Sequence, residues 1–460
     1  MPTTAMRPPP SPPGPPPPAT VRPSSRGSAA ALIVLAGLNL GAVAAVALHG
    51  TAFAGAGTAG LFTWAGRVAG LLAEVLLVGQ FLLAARIPWL ERSVGQDVLL
   101  RWHRTLGQIL LVAVCAHPLL LAAGYGGARL SGFLPQAYTL ATTYLSATAG
   151  AVVIVVVAAL SVAAARRRLR YEIWYAIHLA TYAAVVLAFG HQLSAGRDLA
   201  GSPVITLWWK GQLVITAACL VMFRLGLPLV RSARHQLRVS AVVPEAPDVV
   251  SIYLCGRRLD RLPAVGGQFF QWRFLSPDAW WEAHPYSLSA SPTPQQLRIT
   301  VGLVGDGTER LTRLAPGTRV LVEGPYGTFT ADTLTTPKVL LIGAGLGITP
   351  VRALLEELPR RVDVTLLHRV GVPDEAVLVD ELSSLIRSRR GRAHLITGPR
   401  GSSDDPQRPM GPAHLRRLVP DITRREVYLC GPPGFCTATT ASLRQLGVPA
   451  ARIHQEAFAL

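Results

Sequence analysis

Apolar residues fill the first half of the chain in six runs and then give way to short alternating segments. The runs cover residues 29–48, 59–85, 105–123, 140–165, 173–192 and 206–225, each near the ~20 residues that cross a ~30 Å hydrocarbon core. They predict a six-helix transmembrane bundle over residues 29–231. From Ser232, stretches such as LRVSAVV, VSIYLC, GQFFQWRF, LRITVGLV and TRVLVEG lie between Gly and Pro, which predicts a small antiparallel β-barrel over 232–336. From Pro337, strand and helix patterns alternate through VLLIGAG, VDVTLLH, AHLITG and EVYLCG, which predicts a parallel α/β domain over 337–460. Residues 1–28 contain PPPSPPGPPPP and can bury nothing, so a disordered or polyproline tail is expected there. The expected class is therefore a multidomain membrane protein.

Charge sharpens this division. The net charge of +18 on 460 residues is nearly all arginine, the lysines being Lys210 and Lys338. A basic chain can signal nucleic acid, but here many arginines flank apolar runs and read as topology signals, with the bilayer as partner and no nucleic acid. Arg86, Arg92, Arg101 and Arg104 follow the second run, and Arg166, Arg167, Arg168 and Arg170 follow the fourth. The loops after the third and fifth runs offer only Arg129 and Arg197. With positive charge inside, a multi-pass cell-membrane protein with both termini cytoplasmic is expected. Arg7, Arg22 and Arg26 precede the first run without a cleavage site, which suggests an anchor rather than a signal peptide.

Four histidines stand out within the apolar runs. His103 and His117 are fourteen residues apart, His178 and His191 thirteen, so each pair spans about 20 Å along its helix at about 1.5 Å per residue. The arginine topology runs both helices outwards from the cytoplasm. It sets His103 with His178 near the inner face and His117 with His191 near the outer, an arrangement suited to two stacked haems. A lone intramembrane histidine is as often a packing residue as a ligand; four at matched depths favour ligation. Fourteen residues return to within about 40° of the starting face, whereas thirteen leave an offset of about 140°, so the fifth helix must be distorted or its ligands must approach from different azimuths. Arg67 and Glu74 share a face of the second helix, where a structural pairing is the plainer reading of two ionisable groups. The cysteines, Cys115, Cys219, Cys255, Cys430 and Cys436, lack metal-ligand spacing and are expected as reduced thiols. No CxxCH occurs, so the haems would be b-type.

The second half carries four further stretches of chemical interest. HPYSLSAS at 284–291 places an aromatic ring and a hydroxyl at a strand end, and GDGT at 305–308 forms a turn whose N–H groups can hold a phosphate. GAGLGITP at 343–350 follows an apolar strand and opens a helix, with Pro350 in its first turn, so a pyrophosphate can approach the positive helix end. CGPPGF at 430–435 also follows a strand, at the carboxyl edge where α/β ligands bind.

The order HPYS, VGDGT, GPYG, GAGLGITP and LCGPPGF resembles the flavin reductase module of the ferredoxin-NADP reductase superfamily. Joined to six helices with paired histidines, it looks like the NADPH oxidase and ferric reductase family. The resemblance implies that His284, Pro285, Tyr286 and Ser287 bind FAD, with Tyr286 against the isoalloxazine and Ser287 near its reactive nitrogen. Gly305 and Thr308 would sit at the flavin phosphates. Gly343, Gly345, Gly347, Thr349 and Pro350 would hold NAD(P)H, with Cys430, Gly431 and Pro432 beside the nicotinamide. Phe458 would shield the flavin as terminal aromatics do in relatives, although it is not the last residue. Many soluble relatives carry Arg where His284 stands.

A nicotinamide gives a two-electron hydride and a haem iron takes one electron, so the flavin is the necessary converter. The expected function is transfer from cytoplasmic NAD(P)H through FAD and two haems to an acceptor outside, with ferric iron first. The alternatives are superoxide production, supply of a periplasmic redox protein, and a transporter fused to a reductase with the histidines as proton relays. NADH and NADPH both stay open. Arg369 and Arg400 are candidate clamps for a 2′-phosphate, but in an Arg-rich chain an exposed surface arginine is the plainer reading.

Overall fold

The computed structural model describes residues 25–49, 57–161, 171–195, 203–278, 280–389, 391–399 and 409–457. Most of the Pro-rich stretch, Arg166, Arg167, Arg168, Arg170 and Arg197 lie outside them.

Among the described residues, four helical segments are long and apolar enough to cross a membrane: Gly57–Ala84, Val98–Tyr125, Ile173–Gln192 and Pro203–His235. A fifth is present if the bent pair Leu130–Thr143 and Leu145–Ser161 counts as one span. The first run forms α1 (Ser25–His49), but its described apolar part, Val34–Ala45, is shorter than a span. The elements are α2 (Gly57–Ala84), α3 (Pro88–Val94), α4 (Gln96–Tyr125), α5 (Leu130–Thr143), α6 (Leu145–Ser161), α7 (Tyr171–Ala195), α8 (Pro203–Leu220) and α9 (Leu227–His235). A π-helical segment, Val221–Gly226, joins α8 to α9.

The fourth run is one element in sequence and two in space. Its chain bends by 100° at Tyr144. Thr139 and Thr142 turn their hydroxyls back onto the carbonyls of Pro135 and Tyr138, an arrangement that bends helices, and Pro135 supplies no N–H of its own. Elsewhere small residues bring helices close. A Cβ on Gly150 would meet the Ala184 carbonyl at 2.6 Å, which sets the approach of α6 to α7.

The soluble half begins as two three-stranded antiparallel sheets around one core. The sheets run β1-β2-β5 and β4-β3-β6, from β1 (Arg238–Ala246), β2 (Val249–Cys255), β3 (Phe269–Phe274), β4 (His284–Ser287), β5 (Gln296–Gly302) and β6 (Val320–Tyr326). Alternate residues of β3 and β6 point inwards, as a period-two pattern requires. Ile252, Phe270, Trp272, Leu288 and Ile299 form the centre of the core. Buried Trp272 donates its indole N–H to the Tyr286 carbonyl at 2.8 Å, which fixes β4 on the core.

The second part of the soluble half is a five-stranded parallel sheet, β11-β10-β7-β8-β9. Its strands are β7 (Lys338–Ala344), β8 (Asp363–Arg369), β9 (Arg392–Ile396), β10 (Glu426–Gly431) and β11 (Ile453–Ala457). Hydrophobic clusters lie on both faces, one including Val339, Leu341 and Ile348, the other Leu340, Ile342 and Leu429. Cover on both sides explains why VLLIGA is a continuous apolar run rather than an alternating one.

Candidate redox sites

The helices bring the four histidines together in two pairs. The ring centroids of His103 and His178 are 6.2 Å apart, and those of His117 and His191 are 6.3 Å apart. Two metal–imidazole bonds of about 2.0 Å each, with the two ring radii, account for this spacing, so one metal ion fits between each pair. Three of the four Nδ1 atoms bond backbone carbonyls. His117 Nδ1 bonds the Gly66 carbonyl at 2.7 Å, His103 Nδ1 the Gln80 carbonyl at 3.2 Å, and His191 Nδ1 the Ala188 carbonyl of its own helix. Backbone carbonyls of this kind fix the tautomer and leave Nε2 as the donor to a metal, so the pairs fit bis-histidine haem. Among the described residues no cluster of three or more His, Cys, Asp or Glu forms another metal site.

α7 is continuous through both histidines of the thirteen-residue spacing. His191 Nδ1 reaches the Ala188 carbonyl of its own helix, and its ring still lies 6.3 Å from that of His117. Glu74, buried at 5% exposure, accepts a hydrogen bond of 2.7 Å from Gln192, the residue after His191. Arg67 is half-buried on the same helix.

In the flavin domain, β4 presents His284 stacked beside Tyr286, with centroids 5.9 Å apart. The His284 Nε2 lies 3.3 Å from Glu282, which also pairs with Arg310 at 3.1 Å. Pro285 is exposed between them. Burial pushes the Tyr286 hydroxyl well above the ordinary phenol range, with the Glu282 charge adding to it, so it stays a neutral donor. The Ser287 hydroxyl is buried without a protein hydrogen-bond partner, an opening that a ligand heteroatom fits. Thr308 braces its own turn. Its hydroxyl accepts the N–H groups of Val304 and Gly305, at 2.9 and 3.1 Å, and donates to the Gly305 carbonyl, so it shapes the turn from within.

The dinucleotide stretch forms a tight strand–turn–helix. β7 ends at Ala344, Gly345 takes a positive φ of +52°, and the helix α10 (Ile348–Glu357) follows, with Thr349 bonded back to the Leu346 carbonyl at 3.0 Å and Pro350 in its first turn. A Cβ on Gly343 would meet Ile348 at 2.8 Å and one on Gly347 would meet the Cys430 carbonyl at 2.3 Å. These glycines therefore let the turn approach β10. The Cys430 side chain lies wholly in the core, and burial raises its thiol far above the ordinary range, so it is an inert thiol. Gly431 packs where a Cβ would lie 2.9 Å from Ala344, and Pro432 caps the helix α11 (Pro433–Gln445).

Arg369 is not the exposed surface arginine of the plainer reading. It is 9% exposed, and its guanidinium donates to the carbonyls of Val370, Ile396, Gly398 and Pro399, which ties the ends of β8 and β9. Arg400 and Phe458 lie outside the described residues. Two other features escaped sequence reasoning. Buried His368, next to last in β8, lies beside Gly343, and Arg298 on β5 pairs with Glu381 at 2.7 Å across the two soluble domains. Neither lies in a recognisable motif.

Comparison with known proteins divides the chain in the same way. Residues 69–189 match the ferric reductase like transmembrane component, 236–330 an FAD-binding domain, and 341–441 the oxidoreductase NAD-binding domain. The glycine betaine monooxygenase reductase subunit of Chromohalobacter salexigens is 27% identical over 241 residues, 49% of this chain and 65% of that one. The flavohemoprotein of Bordetella pertussis is 31% identical over 245 residues, 48% of this chain and 60% of that one. The chain thus spans less than two thirds of these relatives' length. The crystal structure of the flavohem-like FAD/NAD binding domain of nitric oxide dioxygenase from Vibrio cholerae has 24% identity and a TM-score of 0.40, covering 48% of this chain and 98% of that one. The chain thus joins a ferric reductase-like transmembrane component to FAD-binding and NAD-binding domains, the domain order of the ferric reductase and NADPH oxidase family.

Proposed function

We propose that the chain carries electrons across the membrane from cytoplasmic NAD(P)H, through FAD and two b-type haems, to an acceptor on the far side, with ferric iron as that acceptor. The observation that carries this reading is the pair of histidine sites, with centroids 6.2 and 6.3 Å apart, on the same chain as an FAD and NAD(P)H module. In this reading the first apolar run completes six spans, both termini are cytoplasmic, and the His103–His178 pair lies nearer the reductase. Bound in these sites, FAD divides a two-electron hydride into single electrons and haem iron relays them singly.

The protein's own groups supply binding, orientation and exclusion of water. The glycines of the 343–347 turn bring the nucleotide to the helix N-terminus, and the carboxyl edge of β10 at Cys430, Gly431 and Pro432 holds the nicotinamide. Tyr286 covers the flavin ring and Ser287 meets its reactive edge. The Gly66 and Gln80 carbonyls hold the imidazoles of His117 and His103 in one tautomer. His103 and His178 would hold one haem and His117 and His191 the other, and the bound haems would supply single electrons to the acceptor. A cytoplasm-negative potential favours each outward electron by ~2.3 kcal/mol per 100 mV.

A dithionite-reduced minus oxidised spectrum, with haem and FAD quantified, tests the pathway; two b-type haems and one FAD per chain are expected. Ferric reduction and superoxide release measured together in the same membranes test the acceptor. Superoxide without ferric reduction would make dioxygen the acceptor, and a requirement for an added protein would make it a redox partner.

A further inference from the structure

The strand β6 of the flavin domain meets the membrane domain at one acidic residue that belongs to neither cofactor site. Glu323 lies within ion-pair distance of two guanidiniums from separate helical segments, Arg86 just beyond α2 at 3.2 Å and Arg224 in the π-helical segment at 3.5 Å. Neighbouring contacts reinforce the grip. The Arg86 guanidinium stacks 4.8 Å over the Tyr326 ring, Arg231 donates to the Gly324 carbonyl, and the Ser232 hydroxyl accepts the Val322 N–H at 3.2 Å. The Arg86 and Glu323 side chains are 16% and 24% exposed, so their attraction is screened less than at an open surface.

Both ends of this junction lead to electron-carrying sites. α2, which ends two residues before Arg86, also supplies the Gly66 and Gln80 carbonyls that hold His117 and His103. In the other direction, Glu323 on β6 is paired with Gln271 on β3, and Gln271 is paired with Pro285 on β4. One intervening strand therefore separates Glu323 from the HPYS segment. We infer that Glu323 is a positioning residue: its pairs with Arg86 and Arg224 hold the flavin strand at a set separation from the His103–His178 pair, and so set the rate of flavin-to-haem electron transfer.

The inference rests on the haem and flavin reading above. In the step concerned, NAD(P)H supplies two electrons to the flavin as a hydride, and these leave singly, each reducing one ferric haem. The hydride step takes place within the reductase module, whereas the single-electron step crosses the junction. Loosening the junction therefore slows the second and spares the first.

The test uses full-length protein loaded with FAD and haem in nanodiscs. It is mixed with NAD(P)H without oxygen while flavin bleaching and the haem α-band are followed separately. Glu323→Gln is expected to retain FAD and bleach at the wild-type rate while haem reduction slows about tenfold or more, as misplacement of reacting groups does. Glu323→Asp, which keeps the charge, should recover part of the rate. Arg224→Gln alters only the membrane side and should slow the same step, and the double variant should be no slower than the slower single, the mark of one shared interaction. Unchanged haem reduction in Glu323→Gln, bleaching that falls in step with haem reduction, or multiplicative effects in the double variant would overturn the inference. Wild-type protein without b-type bands would instead overturn the reading on which it rests.

Discussion

A Cβ added to Gly70 would lie 2.6 Å from Nδ1 of His117, so this glycine is the space into which the imidazole turns. Gly70→Val should displace His117 from the Gly66 carbonyl and cost one of two haems, taking haem content from about two to about one per chain. Gly79→Ala meets only Leu106, at 3.9 Å, and should retain both. Haem extraction with protein quantification measures the ratio, and an unchanged ratio in Gly70→Val would remove His117 from the ligand set.

The buried Ser287 hydroxyl has no protein hydrogen-bond partner, so its partner is expected to be the flavin. One hydrogen bond contributes about 0.5–1.5 kcal/mol. Ser287→Ala should therefore keep bound FAD and slow its reduction by NAD(P)H by about tenfold, since a factor of ten corresponds to ~1.4 kcal/mol. Single-turnover bleaching of the flavin checks this; a full loss of FAD would assign Ser287 to binding instead.

Because Arg369 holds carbonyls at the end of β9 and beyond it, Arg369→Ala should lower turnover with NADH and NADPH by similar factors. It should also destabilise the domain by roughly 1–3 kcal/mol, the cost of leaving buried carbonyls unsatisfied. Kinetics with both nucleotides and a thermal melt decide the matter. A loss confined to NADPH would show that the side chain clamps a 2′-phosphate.

Burial holds the His368 imidazole down to about 4, against a hydrogen bond that its ring donates to the Gly345 backbone. In the unfolded chain a histidine takes its proton near ~6.5. The neutral ring therefore contributes stability that is complete above about 6.5 and is lost as pH falls towards 4. The loss approaches about 3 kcal/mol, at ~1.36 kcal/mol per unit. His368→Gln should flatten thermal stability between pH 7 and pH 5, and a slope equal to the wild type's would refute this.

The parts of the structure visible in the sequence were those with periodicity or local spacing. Alternation along FFQWRF and the continuous run VLLIGA report how many faces of a strand are buried, and this is a local property. The four histidines were conspicuous because ionisable groups are rare in apolar helices. The bend at Tyr144 was hidden because a helix and a broken helix share the same apolar composition. Arg369 and Glu323 were hidden for a different reason. Each is an ordinary charged residue in a charged neighbourhood, and its partners, Gly398 in one case and Arg86 and Arg224 in the other, are distant in sequence or set by tertiary packing.

The carbonyls that receive His117 and His103 belong to Gly66 and Gln80 of α2, which are fourteen residues apart, as are the two histidines on α4. Gln80 also returns a hydrogen bond of 2.8 Å from its amide to the His103 carbonyl. The two helices therefore form a ruler with two matching marks. Inserting or deleting one residue between the marks on either helix would rotate one mark by about 100° and shift it by about 1.5 Å, so both centres could not stay in register. Substitutions can accumulate along this stretch, but its length is locked.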